Sequence, residues 1–112
     1  MKISDRIRLQ HIRDAAAEAL SFTSGRDVGD LIEDRMLALS LIKELEIIGE
    51  AAGKISEETR IAFPSIPWID IIGMRNRLIH GYYDLDIDLI WDTVTIDLPD
   101  LLVEIYHALD SE

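Results

Sequence analysis

Apolar residues recur at spacings of three and four residues along almost the whole chain, and this periodicity predicts α-helices throughout. The first helix begins at Ser4 or Asp5, either of which can serve as its N-cap. Its apolar face is formed by Leu9, Ile12, Ala16 and Leu20. The stretch TSGRDVGD, which contains Gly25 and Gly29, ends this helix.

A long second helix is predicted to begin at Asp30 and to reach roughly Lys54. It carries two separate apolar arcs. The first arc consists of Leu37, Leu41, Ile42, Leu45, Ile48 and Ala52, and the second of Ile32, Met36, Leu39 and Ile47. A helix buried at the centre of a bundle would explain both arcs, and so would a helix covered on one side by a second copy of the chain.

Three further helices are predicted from cap residues. Ser56 can cap a short helix with acidic residues in its first turn, and Pro67 suits the first turn of a helix from about Trp68 to His80. Asp86 or Asp88 begins the last helical region. One register is kept there by Ile87, Ile90, Val94, Leu98, Leu101, Ile105 and Leu109.

Pro99 interrupts this last region. Proline has no N–H to donate and crowds the preceding turn, so it is expected to kink or divide the helix, with Asp97 capping a restart. Together the elements predict an all-α, up-and-down antiparallel bundle of four to five helices. We expect residues 1–112 to form a single helical domain, which suits the length of the chain.

Composition limits the classes of function that the protein can have. The formal net charge of -11 disfavours broad, charge-driven binding to nucleic acid, so any such chemistry must be local. There is no cysteine, which excludes disulfides and thiolate zinc sites and makes a cytoplasmic location the expectation. No run approaches the roughly 18 apolar residues of a membrane span. The aspartates of DLDIDLIWDTVT do not form a calcium loop, because Leu89 and Thr95 replace the required glycine and glutamate.

The segment MRNRLIHGYYDLD, from Met74 to Asp86, concentrates cations, an imidazole and phenols in this acidic chain. On a helical wheel Arg75 falls within an arc formed by Trp68, Ile71, Ile72, Leu78 and Ile79, whereas Arg77 points away as a solvated charge. An unpaired buried charge is very costly. Arg75 is therefore expected either to form a buried ion pair with a carboxylate of another helix or to bind an anion in a groove.

His80 follows at the predicted end of the same helix, where a histidine can stabilise the helix dipole or act as a general acid or base. Arg75 and His80 are five residues apart, about 140° around an ideal helix. They can meet one phosphate only if the helix unwinds near Gly81 or if two chains supply one set each.

Asn76 follows Arg75, four residues separate Arg75 from His80, and one residue separates His80 from Tyr82. This order and spacing resemble the signature of the HEPN superfamily (higher eukaryotes and prokaryotes nucleotide-binding). The flanks IGEAAGKIS, IPWIDIIGMRN and DLDIDLIWDTV are similar to those of its small HepT-like toxins. The similarity extends over nearly the whole chain.

The resemblance implies a symmetric homodimer with the motif helices lining a shared cleft, and a metal-independent endoribonuclease that needs no cofactor. In it Arg75, Asn76 and His80 are catalytic. It further implies the toxin of a type VII-like toxin–antitoxin pair, silenced when a minimal nucleotidyltransferase antitoxin transfers AMP to Tyr82. Tyr83 is the adjacent alternative. A non-catalytic helical dimer that binds nucleotide or the nucleotidyltransferase stays open as a second interpretation.

Overall fold

The computed structural model describes residues 1–79 and 84–111, so His80, Tyr82 and Tyr83 lie outside the described residues. Its α-helices are α1 (Ile3–Thr23), α2 (Val28–Glu33), α3 (Arg35–Gly53), α4 (Glu57–Ala62), α5 (Trp68–Leu78), α6 (Ile87–Asp92) and α7 (Leu98–Asp110), with a π-helical segment at Thr93–Asp97 between the last two. The prediction of an all-α fold is confirmed. Among the described residues no helix is long and apolar enough to cross a membrane.

Four longer helices form the bundle. α1 packs against both α3 and α7, and α3 packs against α5. The core between them is a continuous set of buried aliphatic side chains whose most enclosed members are Leu9, Ile12, Leu41, Leu45, Ile48, Leu78, Ile90 and Ile105. The apolar faces predicted for the first helix and for the last region lie largely within this core.

Two of the predicted caps are confirmed, and the cap predicted for the first helix is wrong. The Ser56 hydroxyl accepts the amide of Thr59, and the Asp86 carboxylate accepts the amide of Leu89. The first helix instead begins at Ile3, and neither Ser4 nor Asp5 caps it.

Asp5 is buried and joins α1 to the start of α4. Its carboxylate accepts hydrogen bonds from the Ser56 amide at 3.0 Å, the Ser56 hydroxyl at 2.5 Å and the Thr59 hydroxyl at 2.7 Å. Burial by itself would raise the pKa of Asp5, but these hydrogen bonds to the charged form outweigh it and leave the pKa below its usual value. Asp5 is thus ionised in the folded protein, and it connects α1 to the start of α4 rather than capping α1.

The predicted second helix is divided into two, which corrects its start at Asp30. Asp27 caps α2 in a reciprocal capping box with Asp30, and Asp34 then caps α3 by accepting the amide of Leu37. Each cap satisfies a backbone amide that a new helix leaves without a partner. The first apolar arc is buried, whereas Ile32, Met36 and Leu39 of the second arc are 68%, 76% and 45% exposed.

Pro99 is accommodated without the predicted cap at Asp97. The π-helical turn lets the amide of Leu98 reach the carbonyl of Thr93, five residues back, and Pro99 then falls in the first turn of α7. No amide is needed in that turn. The Thr95 hydroxyl donates to the carbonyl of Trp91 at 2.7 Å, which gives one displaced carbonyl a partner.

Gly49 allows α3 and α5 to approach closely. A Cβ atom at this position would lie 3.1 Å from the carbonyl oxygen of Ile71 and 3.6 Å from that of Ile72. Those atoms belong to the backbone of α5 and cannot rotate away. Any side chain at residue 49 would therefore push the two helices apart.

We predict that Gly49→Val lowers the free energy of unfolding by about 2 kcal/mol through overpacking at this contact. The matched control is Gly53→Val on the same helix, because a Cβ atom there meets nothing within 4 Å. Urea denaturation of both variants measures the difference. Equal midpoints for the two variants would contradict the proposed close approach.

Glu44 on α3 is a buried carboxyl with an unpaired oxygen. It is 5% exposed, and its Oε2 atom has no hydrogen-bond partner among the described residues. Burial raises the pKa of Glu44 to about 7, and a hydrogen bond and charge repulsion from Glu18 add to the shift. Between the usual value of 4.5 and about 7 the folded state therefore holds a proton that the unfolded state has lost.

Because of this extra proton, the contribution of Glu44 to stability falls as pH rises from about 4.5 to 7. We predict that Glu44→Gln raises the free energy of unfolding by about 1 kcal/mol at pH values above 7, and by less at acidic pH. Glu50→Gln, an exposed change on the same helix, is the control. Thermal unfolding as a function of pH tests this, and parallel pH profiles for Glu44→Gln and the parent would refute it.

Candidate functional site

Helix α5, which carries the motif, begins at Trp68 and ends earlier than predicted. Pro67 precedes its first turn, and the indole of Trp68 donates to the carbonyls of Arg60 and Phe63 at 3.3 and 3.1 Å. The helix ends at Leu78, so the prediction that it reaches His80 is wrong. The 140° separation of Arg75 and His80, which assumed a continuous helix, no longer applies.

The rotational phase of α5 also differs from the prediction. Ile71, Met74 and Leu78 are buried, while Ile72 is 39% exposed and the side chain of Arg75 is 52% exposed. The predicted arc depended on Ile72 and Ile79, and Ile79 lies beyond the end of the helix. Arg75 therefore lies at the edge of the buried face, next to α3, rather than within it.

Arg75 forms an ion pair with α3. Its Nε atom donates to Oε2 of Glu46 at 3.1 Å, and Lys43 approaches the other carboxylate oxygen at 3.5 Å. Glu46 is the only acceptor in residues 1–79 and 84–111 that contacts the Arg75 guanidinium. The pairing with a second-helix carboxylate matches one of the two expectations, but the pair is half-exposed and not sealed in the core.

The ion pair with Glu46 uses one edge of the Arg75 guanidinium. A guanidinium has five N–H donors in a planar fork, and Glu46 uses the donor at Nε. The Nη groups remain on a solvent-accessible side chain, where a phosphate could accept from them. Glu46 thus restrains the orientation of Arg75 without occupying its whole hydrogen-bonding edge.

The neighbouring polar residues of α5 face other directions. Asn76 is exposed and lies about 100° from Arg75 around the helix. Arg77 is exposed on the opposite side, as predicted, and its Nη2 atom donates to the Asp70 carbonyl at 2.9 Å. The structure therefore places Asn76 at the surface about midway between Arg75 and Arg77, which lie on opposite sides of α5.

The roles predicted for His80 and Tyr82 fall outside the described residues, but both flanks of this segment are fixed. Ile79 and Leu85 form an isolated antiparallel bridge, and the amide of Asp86 donates to the carbonyl of Leu78 at 2.9 Å. The chain on each side of residues 80–83 is therefore paired next to the C-terminal end of α5.

An exposed apolar surface lies near the same end of α5. Gly49 faces Ile71 and Ile72 while Glu46 pairs with Arg75, so α3 and α5 run antiparallel. The N-terminal half of α3 consequently extends past the end of α5. Leu39 is roughly 10 Å along the α3 axis from Glu46, beyond the end of α5.

Comparison with protein families identifies the family to which the chain belongs. The family described as "Ribonuclease HepT-like" matches residues 12–108 of the chain. The chain belongs to the HepT-like ribonuclease family. The family assignment made from the motif and its flanks is therefore confirmed.

Curated relatives in this family cover nearly the whole chain. "Putative RNase MJ1380" of Methanocaldococcus jannaschii is 37% identical over 97 residues, which span 87% of this chain and 89% of that protein. "Probable ribonuclease HepT" of Thermococcus cleftensis is 36% identical over 101 residues, 90% and 92% of the two chains. No solved structure matches the chain significantly.

Sequence reasoning did not find Glu46 as the partner of Arg75. Helix α3 also carries Glu44 and Glu50, and composition does not distinguish the three. The contact of Gly49 with α5 sets the register of the two helices, and this register determines which glutamate pairs with Arg75. A glycine inside a long helical pattern was the available signal, because it marks a position of close approach.

Proposed function

We propose that the protein is a metal-independent endoribonuclease, acting in the cytoplasm, in which Arg75, Asn76 and His80 are catalytic. The observation that carries this proposal is the half-exposed Arg75 side chain, which pairs through Nε with Glu46 and has no other acceptor within residues 1–79 and 84–111. Membership of a ribonuclease family supports RNA as the substrate.

The proposed reaction uses the nucleophile that RNA carries. The 2′-hydroxyl loses its proton to a base and attacks the adjacent phosphorus, and the bond to the 5′-oxygen breaks. An acid protonates the leaving 5′-oxygen, which gives a 2′,3′-cyclic phosphate and a free 5′-hydroxyl. We assign His80 to proton transfer, Arg75 to the negative charge of the phosphorane, and Asn76 to orienting the histidine or a phosphate oxygen.

A homodimer is part of the proposal, since two chains can each supply one His80 to a shared cleft. Exposed apolar side chains support an interface on the face of α3 and α5 that includes the motif. They are Met36 and Leu39 on α3 and Ile69 and Ile72 on α5. Met36 and Leu39 are three residues apart on α3, and Ile69 and Ile72 are three residues apart on α5, so each pair forms an apolar patch that a partner could cover.

The biological role that we propose is that of a toxin in a type VII-like toxin–antitoxin pair. A minimal nucleotidyltransferase would transfer AMP from ATP to Tyr82: the phenol oxygen bonds to the α-phosphorus, loses its proton, and pyrophosphate leaves. The adduct adds negative charge and a purine close to His80. Both changes would hinder binding of an RNA phosphate.

A non-catalytic dimer that binds nucleotide or the nucleotidyltransferase is the second candidate, and the Arg75–Glu46 ion pair is the observation that favours it. In that case Arg75 would serve only to hold α5 against α3. The two functions predict different behaviour for the two partners of the ion pair, which the first experiment below exploits.

We predict that the purified protein cleaves RNA in EDTA and that His80→Ala and Arg75→Gln each reduce the rate about a hundredfold or more. Glu46→Gln breaks the same ion pair and serves as the matched control. If Arg75 contacts phosphate, Glu46→Gln should lose much less activity than Arg75→Gln, because the amide oxygen can still accept from Nε. Arg77→Ala, on the opposite side of α5, should also remain active.

Equal losses in Arg75→Gln and Glu46→Gln, with reduced thermal stability in both, would assign Arg75 to scaffolding. Parental activity in His80→Ala would exclude His80 from the reaction and point to a contaminating nuclease.

We predict a homodimer at micromolar concentration, which Met36→Asp dissociates with at least a tenfold increase in Kd, because a carboxylate would be buried in the interface. Ile61→Asp on α4 replaces a similarly exposed apolar residue, 70% against 76% exposed, and should leave the dimer intact. Sedimentation velocity measures both. A monomeric parent protein would disprove this part of the proposal.

We predict that AMP is transferred to Tyr82, so that Tyr82→Phe keeps much of the nuclease activity but escapes silencing by the nucleotidyltransferase. Tyr83→Phe is the matched control and should still be silenced. Peptide mass spectrometry after incubation with the partner and ATP locates the adduct. An adduct on Tyr83, or on no tyrosine, would refute the assignment.

A further inference from the structure

A groove runs between α5 and α7 because one side of the bundle is open. The described residues pack α1 against α3, α3 against α5 and α1 against α7, but α5 and α7 do not pack along their length. The space left between these two helices is a cavity of about 700 Å³ that opens to solvent. The Ser65 hydroxyl, which precedes α5, donates to Glu104 of α7 at 2.7 Å.

The groove has an apolar floor and an acidic rim. Its floor is formed by the largely buried side chains of Ile71, Met74, Leu98 and Leu101, which are 1–6% exposed, and Val103 at its edge is 54% exposed. Its rim carries the carboxylates of Asp70, Asp97, Asp100 and Glu104. Arg77 is the single cation among the lining residues, and it is turned back toward the Asp70 carbonyl.

This groove is separate from the proposed RNA site. Arg75 and Arg77 are two residues apart, about 200° around α5, and only Arg77 lines the groove. The carboxylate rim would repel a phosphate backbone. The groove therefore suits a ligand of opposite charge to RNA, with an apolar surface of its own.

We propose that this groove docks an amphipathic, basic helix from a partner protein. An apolar stripe on such a helix would cover the floor, and lysine or arginine on both flanks would face the carboxylates of the rim. The lining residues run from Pro67 to Arg77 beside α5, about 15 Å, and from Asp97 to Glu104 beside α7, about 10 Å, which gives room for two to three turns of a docked helix. A second copy of this chain is the poorer occupant, since it carries 22 acidic against 11 basic residues.

The probe is a fluorescein-labelled peptide of about 16 residues, roughly 24 Å as a helix, with leucines on one face and lysines on both flanks. Binding is measured by fluorescence anisotropy at about 0.15 M salt, where distant charges are screened. We expect saturable binding, with amide NMR shifts confined to α5 and α7. A peptide of the same composition with leucines at every second position, which has no helical apolar face, should bind at least about tenfold more weakly.

The rim is tested with two double variants of equal charge change. Asp97→Asn with Asp100→Asn should weaken binding about tenfold or more, whereas Asp14→Asn with Asp110→Asn, both exposed and outside the groove, should have little effect. Circular dichroism confirms folding, and Val103→Asn provides an independent change in the groove. Equal weakening by both double variants, equal affinity for the two peptides, or shifts mapping to the exposed face of α3 would overturn the proposal.

Discussion

The arrangement of the candidate site depends on the close contact between α3 and α5 at Gly49. The backbone carbonyl of Ile71 on α5 lies closer to this position than a Cβ atom normally approaches. The contact fixes the register of the two helices and so brings Glu46, and neither Glu44 nor Glu50, to Arg75. One missing side chain thereby sets the direction in which the guanidinium presents its remaining donors.

Helix geometry makes α5 asymmetric, because Arg75 and Arg77 lie about 200° apart around it. One side of the helix carries Arg75 next to Glu46, close to exposed apolar residues of α3. The other side carries Arg77 and faces a groove with four carboxylates. The net charge of -11 describes the surface as a whole and neither side individually.

Features set by local sequence were predictable, and features set by packing were not. Helical periodicity, the caps at Ser56 and Asp86 and the first apolar arc of α3 each depend on residues within a few positions. The division of the second helix at Asp34 was missed, because several aspartates in that stretch can cap a helix. The phase of α5 and the use of Asp5 depend on residues about 30 to 50 positions away, which no periodicity reveals.

The π-helical turn before Pro99 has a consequence for how this chain can vary in length. Ile90, Val94 and Leu98 are buried at strict spacings of four, which an α-helix of 3.6 residues per turn would rotate progressively away from the core. The wider turn absorbs this drift and behaves as an α-helix with one residue inserted. Deleting one residue between Thr93 and Asp97 would rotate α7 by about 100° and carry its buried side chains toward solvent. In this segment the number of residues is therefore constrained more tightly than their identity.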